Sequence, residues 1–399
     1  MKQILSNYLK IESSTLNLIK SNFFLQLVTA SFFLILNIYL AKNSFTDSEI
    51  ADFISYRFLA VILLSFPMGY FIRSKNLKPF IIIGSIGLPL SALALIITIK
   101  QDYQTLIRPI FFLWGIFYSL FNISVLPFIM KNVSKENRTH AITLSFATHS
   151  FGMIITGLLI FLLGAFGIRD EGDILLGICF FGFISVYYAS IIVDQKSKEK
   201  KSISMSVDWM RIIQATIPTL MIAIGAGLTI PFINLFFFHT FNVDSSSFAL
   251  LGGFTSLLVA TTSIFVPSIK NKFGLKKSII NTQLISVSAL ILLSTTAFFN
   301  QYSFAIFFAV FFYLVRAPLM NMAAPLTSEL TMEYVGDDNH EMLSAIVSAI
   351  WSGSWFFSSK IFKILIDNSY SYSQIFYITS ALYLIGILFY YLLIKKIKN

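Results

Sequence analysis

The stretch Ser21–Ala41 reads SNFFLQLVTASFFLILNIYLA and contains no charged side chain. About 20 apolar residues in an α-helix cross the ~30 Å hydrocarbon layer of a bilayer. Eleven further segments of comparable length and apolar character follow, too long for barrel strands and without period-two alternation. The twelve segments are 21–41, 53–72, 79–99, 108–130, 141–167, 174–193, 212–238, 247–269, 278–299, 303–328, 342–366 and 373–394. The sequence therefore predicts an all-α membrane protein with twelve transmembrane helices.

The composition supports this fold class and excludes several functions. Hydrophobic residues make up 56% of the 399 residues, charged residues only 12%, and the mean hydropathy is +0.78. A soluble domain averages about 25% charged residues, so too few charges are present to cover a surface facing water. The sequence shows no phosphate-binding loop, no zinc-ligand spacing and no Ser-His-Asp set, and it has four histidines in all. We therefore expect no enzyme activity, no cofactor and no metal.

The net charge of +10 reflects membrane topology. The loops on the side of the N-terminus carry 21 of the 29 Lys and Arg residues, the opposite loops carry 3, and the other 5 lie within apolar segments. Cytoplasmic loops of membrane proteins are enriched in Lys and Arg. This distribution places both termini in the cytoplasm and argues against a nucleic-acid partner.

The longest polar connection, residues 194–211, lies between the sixth and seventh segments and lacks the apolar residues of a core. We interpret it as a cytoplasmic linker. It separates an N-terminal six-helix bundle, 1–193, from a C-terminal six-helix bundle, 212–399.

The two halves show signs of an internal repeat. Asn37 followed by Asp47 recurs as Asn234 followed by Asp244, each at an offset of 197 residues. Duplicated six-helix halves are a common construction of secondary transporters. The repeat therefore favours a transporter over a channel, a receptor or a membrane enzyme.

The loop NKFGLKK, Asn271–Lys277, resembles a cytoplasmic loop of the major facilitator superfamily, with a turn glycine followed by basic residues. Its first-half copy, GYFIRSKNLKP, has an arginine where that family usually has an aspartate. The resemblance implies that both loops act in gating. The implied gating residues are Gly69, Arg73, Asn271, Lys272, Gly274, Lys276 and Lys277.

Two further stretches are similar to helices of the same family: GAGLTIPFINLFF at Gly225–Phe237 to helix seven, and the run Val315–Val335 to helix ten. The resemblance implies two six-helix bundles around a cavity lined by helices 1, 4, 7 and 10. It further implies a monomer in a bacterial cytoplasmic (inner) membrane that moves a small molecule by alternating access. A proton or another ion would be the coupling partner.

Arg316 and His149 are the ionisable side chains expected near mid-membrane. Such residues are costly in a bilayer and mark functional sites by default. Arg316 could bind an anionic group or a carbonyl in the cavity, or it could form a structural ion pair. His149 could relay protons, since histidine titrates near physiological pH, or it could be a neutral hydrogen-bonded residue.

Other polar side chains form a second group of candidate substrate-binding or coupling residues. On helix one, Asn22, Gln26 and Asn37 lie close to one face. They line the cavity if the family resemblance holds, or they hydrogen-bond to neighbouring helices. Likewise, the tryptophans of helix eleven stack on a substrate ring or mark a tight helix interface. The remaining candidates are Asn122, Asn234, Asn321, Trp351 and Trp355.

All 19 acidic residues lie in loops or at predicted helix ends. Because a cation in a low-dielectric cavity needs a counter-charge, the sequence predicts a neutral or anionic substrate. Glu329 is the acid that could alter this, since it lies about one turn beyond the core of helix ten. Arg57, in helix two, is expected to extend its side chain outward or to pair with Asp52.

Two alternatives to a solute transporter remain open at this stage. The chain could be a non-transporting membrane sensor or assembly partner of the same fold, or a lipid or lysolipid flippase. Saturable uptake or efflux in proteoliposomes separates these functions.

The charge asymmetry gives a direct test of topology. In intact cells, cysteines placed at Asp173 and Ser371 should react with an impermeant thiol reagent, whereas cysteines at Ser197 and Asn271 should not. The reason is that the first pair lies on the predicted outer side. Inverted labelling of the two pairs would contradict the orientation.

Overall fold

The computed structural model describes residues 11–71, 75–134, 137–194, 208–336 and 339–398. Within these ranges the chain is helical and contains no strand, which confirms the predicted all-α fold class. The helices are α1 Ser13–Lys42, α2 Asp47–Phe71, α3 Lys78–Lys100, α4 Gln104–Asn132, α5 Arg138–Ala165, α6 Glu171–Ser190, α7 Trp209–Phe241, α8 Ser245–Ile264, α9 Val266–Phe299, α10 Ala305–Val335, α11 His340–Asp367 and α12 Tyr372–Lys398.

The described part of the chain has ten helices that are long and apolar enough to cross a membrane. The other two, α2 and α11, contain 25 and 28 residues, which exceeds the ~20 residues that a spanning helix needs. Each of the twelve predicted segments thus corresponds to one observed helix. Several helices start earlier than predicted, because polar residues continue the helix beyond the apolar run.

Helices α1 and α7 leave α-helical geometry at matching positions. In α1 the residues Phe32–Leu36 form a π-helical turn, and in α7 the residues Ile230–Phe232 form a 3-10 turn. The repeat offset of 197 places Phe32–Leu36 on residues 229–233, which contain the 3-10 turn. Pro231 accounts for the break in α7, because proline lacks the N–H that an α-helix requires.

Helix α9 bends sharply at Gly274, which has φ 76° and ψ 158° within an otherwise helical segment. Only glycine adopts this conformation without strain. The sequence predicted a loop over residues 270–277. Because the residues on both sides of Gly274 are helical, the change of direction is concentrated at this one glycine.

The chain divides into two compact units. The first comprises Met1–Phe45, Tyr56–Ser202 and Ser245–Gly253, and the second comprises Thr46–Ser55, Ile203–Asp244 and Phe254–Asn399. The start of α2 thus belongs to the second unit and the start of α8 to the first. The division at a linker over 194–211 stays a prediction, and most of that linker, 195–207, lies outside the described residues.

Glycines allow close helix packing inside the first unit. A Cβ atom on Gly157 of α5 would lie 2.4 Å from the carbonyl oxygen of Ala249, and one on Gly164 would lie 2.2 Å from the hydroxyl of Ser246. Small residues of this kind let membrane helices approach closely, which increases van der Waals contact where no hydrophobic effect drives association. The first turns of α8 therefore pack directly on α5.

A buried carboxylate connects three parts of the first unit. Asp194, predicted as the first residue of the cytoplasmic linker, has a fully buried side chain. It accepts hydrogen bonds from the backbone N–H of Leu77 at 2.6 Å and from Nδ2 of Asn132 at 3.0 Å, and it pairs with Nζ of Lys131 at 2.9 Å. Asp194 therefore fixes the start of α3 to the end of α4 and is part of the folded unit.

Replacement of Asp194 with Ala should destabilise the protein by about 2–4 kcal/mol, because Lys131 and the Leu77 N–H lose their acceptor. Thermal unfolding of the purified protein measures this. The matched control is Asp173→Ala, which removes an exposed carboxylate paired with Lys100 and should cost less than about 1 kcal/mol. Equal melting temperatures for the two variants would show that Asp194 does not tether the helices.

Candidate functional site

Residues of α1 and α5 form a hydrogen-bonded polar cluster in the first unit. Nδ2 of Asn22 donates to Oγ1 of Thr148 at 2.9 Å, and Nε2 of Gln26 donates to Oδ1 of Asn22 at 3.5 Å. Nδ1 of His149 lies 3.3 Å from Oε1 of Gln26, which also accepts from Oγ1 of Thr29 at 2.9 Å. We call this set, Asn22, Gln26, Thr29, Thr148 and His149, the amide–histidine cluster.

The bonding of the cluster assigns one histidine tautomer. Oε1 of Gln26 is an acceptor, so the neutral His149 donates its Nδ1–H to it and leaves Nε2 as the basic nitrogen. The His149 side chain is exposed, while Asn22 and Thr148 beside it are buried. The cluster therefore presents one titratable nitrogen that is held in place by amides.

Close contact between α1 and α5 makes the cluster possible. A Cβ atom on Gly152 would lie 2.9 Å from Cβ of Gln26. Because Gly152 follows His149 by about one turn, the absence of a side chain there gives Gln26 room beside the histidine.

In the second unit, Arg316 of α10 is buried, with 4% of its surface exposed. Its Nη2 donates to the hydroxyl oxygen of Tyr383 at 3.2 Å, while its Nε has no hydrogen-bond partner among the described residues. No carboxylate in the described part of the chain forms an ion pair with it. Arg316 is thus a buried cation held by a neutral hydroxyl, with one donor unused.

The position of Tyr383 depends on a glycine. A Cβ atom on Gly225 of α7 would lie 2.9 Å from Cε1 of Tyr383. The adjacent Thr379 donates to the Gly225 carbonyl at 3.3 Å and accepts from Thr229 at 2.9 Å. These contacts fix α12 on α7 and orient the tyrosine that contacts Arg316.

Asn37 and Asn234 directly follow the breaks in α1 and α7. Asn37 is the first residue after the π-helical turn, and Asn234 is the second after the 3-10 turn. Both side chains are buried, and Oδ1 of Asn234 accepts from the backbone N–H of Leu235 at 2.9 Å. The repeat noted in the sequence therefore recurs as a structural feature of each unit.

The other candidate residues, two asparagines and two tryptophans, differ in their hydrogen bonds and exposure. Asn122 and Asn321 donate to carbonyl oxygens one turn earlier in their own helices, at 3.0 and 2.9 Å. Trp351 is exposed, and the Cα of Trp355 lies 3.2 Å from the position of a Cβ on Gly227. Ser358 donates to the carbonyl of Ile224 at 2.8 Å, so this part of α11 forms a tight interface with α7.

Residues 19–214 match the family model of the Major Facilitator Superfamily. This part of the chain belongs to that superfamily. The resemblance inferred from the sequence is thereby confirmed.

Several solved structures share the fold of this chain over nearly its whole length. A POT family transporter in complex with a thioalcohol-conjugated peptide is 10% identical, with TM-score 0.76 and 96% of each chain covered. A D-xylose-proton symporter is 13% identical, with TM-score 0.72 and 94% of this chain and 95% of that chain covered. A bacterial homologue of the iron transporter ferroportin in an inward-facing state is 12% identical, with TM-score 0.71 and coverage of 94% and 97%. No curated protein matches the chain in sequence.

The loop that carried the superfamily resemblance has a defined structure in the second unit. Asn271, Lys272 and Lys277 are exposed, and Nζ of Lys276 lies 4.6 Å from the ring centre of Tyr391. The hydroxyl of Ser278 donates to the Gly274 carbonyl at 2.8 Å and stabilises the bend. In the first-half copy, Gly69 lies within α2, whereas Arg73 lies outside the described residues.

Glu329, the acid that could have changed the charge of a binding site, forms an ion pair with Lys270. Both side chains are exposed, so the pair lies at the surface of the second unit. In the structure, therefore, the carboxylate of Glu329 is neutralised by a lysine.

Sequence reasoning misplaced Arg57 and missed Tyr383. The carboxylate of Asp52, the acid considered as a partner of Arg57, lies 2.6 Å from Nζ of Lys360. The guanidinium of Arg57 instead lies over aromatic rings of α4. A single sequence does not show which faces of two helices meet. The aromatic partners of Arg57 and of Arg316 therefore could not be found from residue spacing.

Removal of the Tyr383 hydroxyl should be unusually costly. Tyr383→Phe should lower the free energy of unfolding by about 1.5–3 kcal/mol, because a buried charged donor loses its acceptor. The matched control is Tyr390→Phe, since Tyr390 is also buried in α12 but bonds a neutral hydroxyl, that of Thr219, at 2.9 Å. Its loss should cost about 1 kcal/mol. Thermal unfolding of both variants tests this, and an equal loss would show that Tyr383 does not stabilise a charge.

Proposed function

We propose that the protein is a secondary transporter that moves a small neutral or anionic solute across a membrane by alternating access. The observation that carries the proposal is the matched pair of breaks in α1 and α7, each closely followed by a buried asparagine. Discontinuous helices place unused backbone groups at the substrate and ion sites of many transporters. A purely structural bundle has no need for such breaks at equivalent positions of two repeats.

Arg316 supports the expected substrate charge. Its guanidinium is held by Tyr383 without a carboxylate, and its Nε–H is available as a donor. An anionic or carbonyl oxygen is the natural acceptor for such a group. Since Glu329 is paired with Lys270 at the surface of its unit, a cationic solute would find no counter-charge beside Arg316.

His149 supports coupling to protons. Its Nδ1 lies 3.3 Å from Oε1 of Gln26, so Nε2 would be the nitrogen that takes up and releases a proton. A change in the charge of His149 would then alter the hydrogen bonds of Gln26, which also bonds Asn22 and Thr29.

Gly274 and the basic residues around it are proposed as the gating element of the second unit. The proposal includes a monomer in a bacterial inner membrane with cytoplasmic termini and two six-helix halves. The basic loop residues favour that orientation through the positive-inside rule.

One proteoliposome assay tests substrate charge and coupling together. Vesicles loaded with a pH-sensitive dye are challenged with a panel of neutral, anionic and cationic solutes. We expect internal pH to change with neutral or anionic solutes. Arg316→Ala should reduce this response at least tenfold, because a charge-assisted hydrogen bond to the solute is lost. His149→Gln should abolish the proton signal but retain exchange of the labelled solute.

The control for these variants is Arg169→Ala, which removes an exposed arginine of the same charge and should transport normally. Each variant is first shown to be folded by its melting temperature. Micromolar binding of a lipophilic cation such as tetraphenylphosphonium, unchanged in Arg316→Ala, would contradict the proposed substrate class.

A further inference from the structure

Arg57 of α2 lies in an aromatic setting in the first unit. Its guanidinium carbon is 4.6 Å from the ring centre of Trp114 and 5.0 Å from that of Tyr118, both on α4. Arg57 and Trp114 are each ten residues, or about 15 Å, from the start of their helices. Arg57 also lies within the predicted apolar segment 53–72, and an ionisable residue in a spanning helix needs a functional or structural reason.

The donors of this pair lack acceptors. Nε of Arg57 and Nε1 of Trp114 are both buried atoms with no hydrogen-bond partner among the described residues. Trp114 is 1% exposed, so its indole N–H cannot be satisfied by bulk water. Arginine and tryptophan side chains carry only donors, so each of these two buried donors lacks an acceptor among the described residues.

No carboxylate of the described residues neutralises Arg57. The nearest candidate in sequence, Asp52, is paired with Lys360. Aromatic faces attract a guanidinium, but this attraction is weaker than the cost of an unpaired charge inside a membrane. The positive charge of Arg57 therefore has no anionic partner among the described residues.

We propose that Arg57, Trp114 and Tyr118 form a binding site for the carboxylate of a small organic acid with an aromatic or apolar body. The carboxylate would accept hydrogen bonds from Nε of Arg57 and Nε1 of Trp114 and supply the missing charge. The rings of Trp114 and Tyr118, with Phe32 packed at 4.7 Å on Trp114, provide the apolar contact. This site lies in the first unit and is distinct from Arg316.

Close packing of α2 on α4 fixes the position of Arg57. A Cβ atom on Gly115 would lie 2.3 Å from the carbonyl oxygen of Arg57 and 2.7 Å from Cβ of Ala60. The glycine therefore lets α2 and α4 approach closely beside the arginine. Because this contact is made through backbone atoms, it holds Arg57 over the rings whether or not a ligand is bound.

The inference is tested on the purified full-length protein by calorimetric titration with benzoate, with benzamide as neutral isostere and benzylamine as cationic analogue. We expect benzoate to bind at least tenfold more tightly than benzamide, and benzylamine not to bind. Arg57→Leu should weaken benzoate binding at least tenfold. Arg57→Lys, which keeps the charge but loses the planar donor pair, should weaken it several-fold, and Trp114→Phe should also weaken it.

Arg169→Leu, which removes an exposed arginine of the same unit, should bind benzoate like the unchanged protein. The inference is overturned if benzoate does not bind at millimolar concentration, if benzamide binds equally well, or if folded Arg57→Leu binds like the unchanged protein. The titration measures binding and not transport. Absence of benzoate binding would therefore not contradict the proposed transport function, and absence of transport in proteoliposomes would not contradict this binding site.

Discussion

Every peptide N–H and C=O inside a bilayer needs a partner within the protein, and the fold of this chain follows from that constraint. Long helices satisfy these groups along most of their length. Two helices depart from the rule, α1 at Phe32–Leu36 and α7 at Ile230–Phe232. In these turns the spacing of the backbone hydrogen bonds differs from that of an α-helix, and a buried asparagine closely follows each turn. The breaks therefore lie at equivalent sequence positions of two repeated helices, each with a buried asparagine close behind it.

Charge is handled differently at the ends and in the middle of the helices. Near helix ends, lysines are neutralised by acids, as in the pairs Lys42–Glu171 and Lys360–Asp52. Deeper, Arg57 and Arg316 contact aromatic side chains and no carboxylate of the described residues. Cation–π contacts contribute about 0.5–2 kcal/mol, against several kcal/mol for a charge in the hydrocarbon layer. Two arginines within the helices therefore have no carboxylate partner among the described residues.

The sequence predicted the helices well because hydropathy over 20 residues is a strong physical signal, and the family resemblance implied a turn at Gly274. The π-helical turn was not predictable, since Phe32–Leu36 contains neither proline nor glycine. The polar stripe of α1 was predicted, but its bond to His149 was not, because that pairing depends on how α5 is rotated. Asp194 was misjudged for a similar reason, since its polar neighbours in sequence hid its burial in space.

The two compact units exchange short pieces of chain. The first turns of α8, Ser245–Gly253, belong to the first unit, and the first turns of α2, Thr46–Ser55, belong to the second. This arrangement resembles a domain swap within one molecule, in which each unit is completed by a segment that the other half of the sequence encodes. A polypeptide cut at the linker would therefore yield two fragments, each lacking about nine or ten residues of its own core. Such fragments would be complementary subunits, and each would reach its full packing only in the presence of the other.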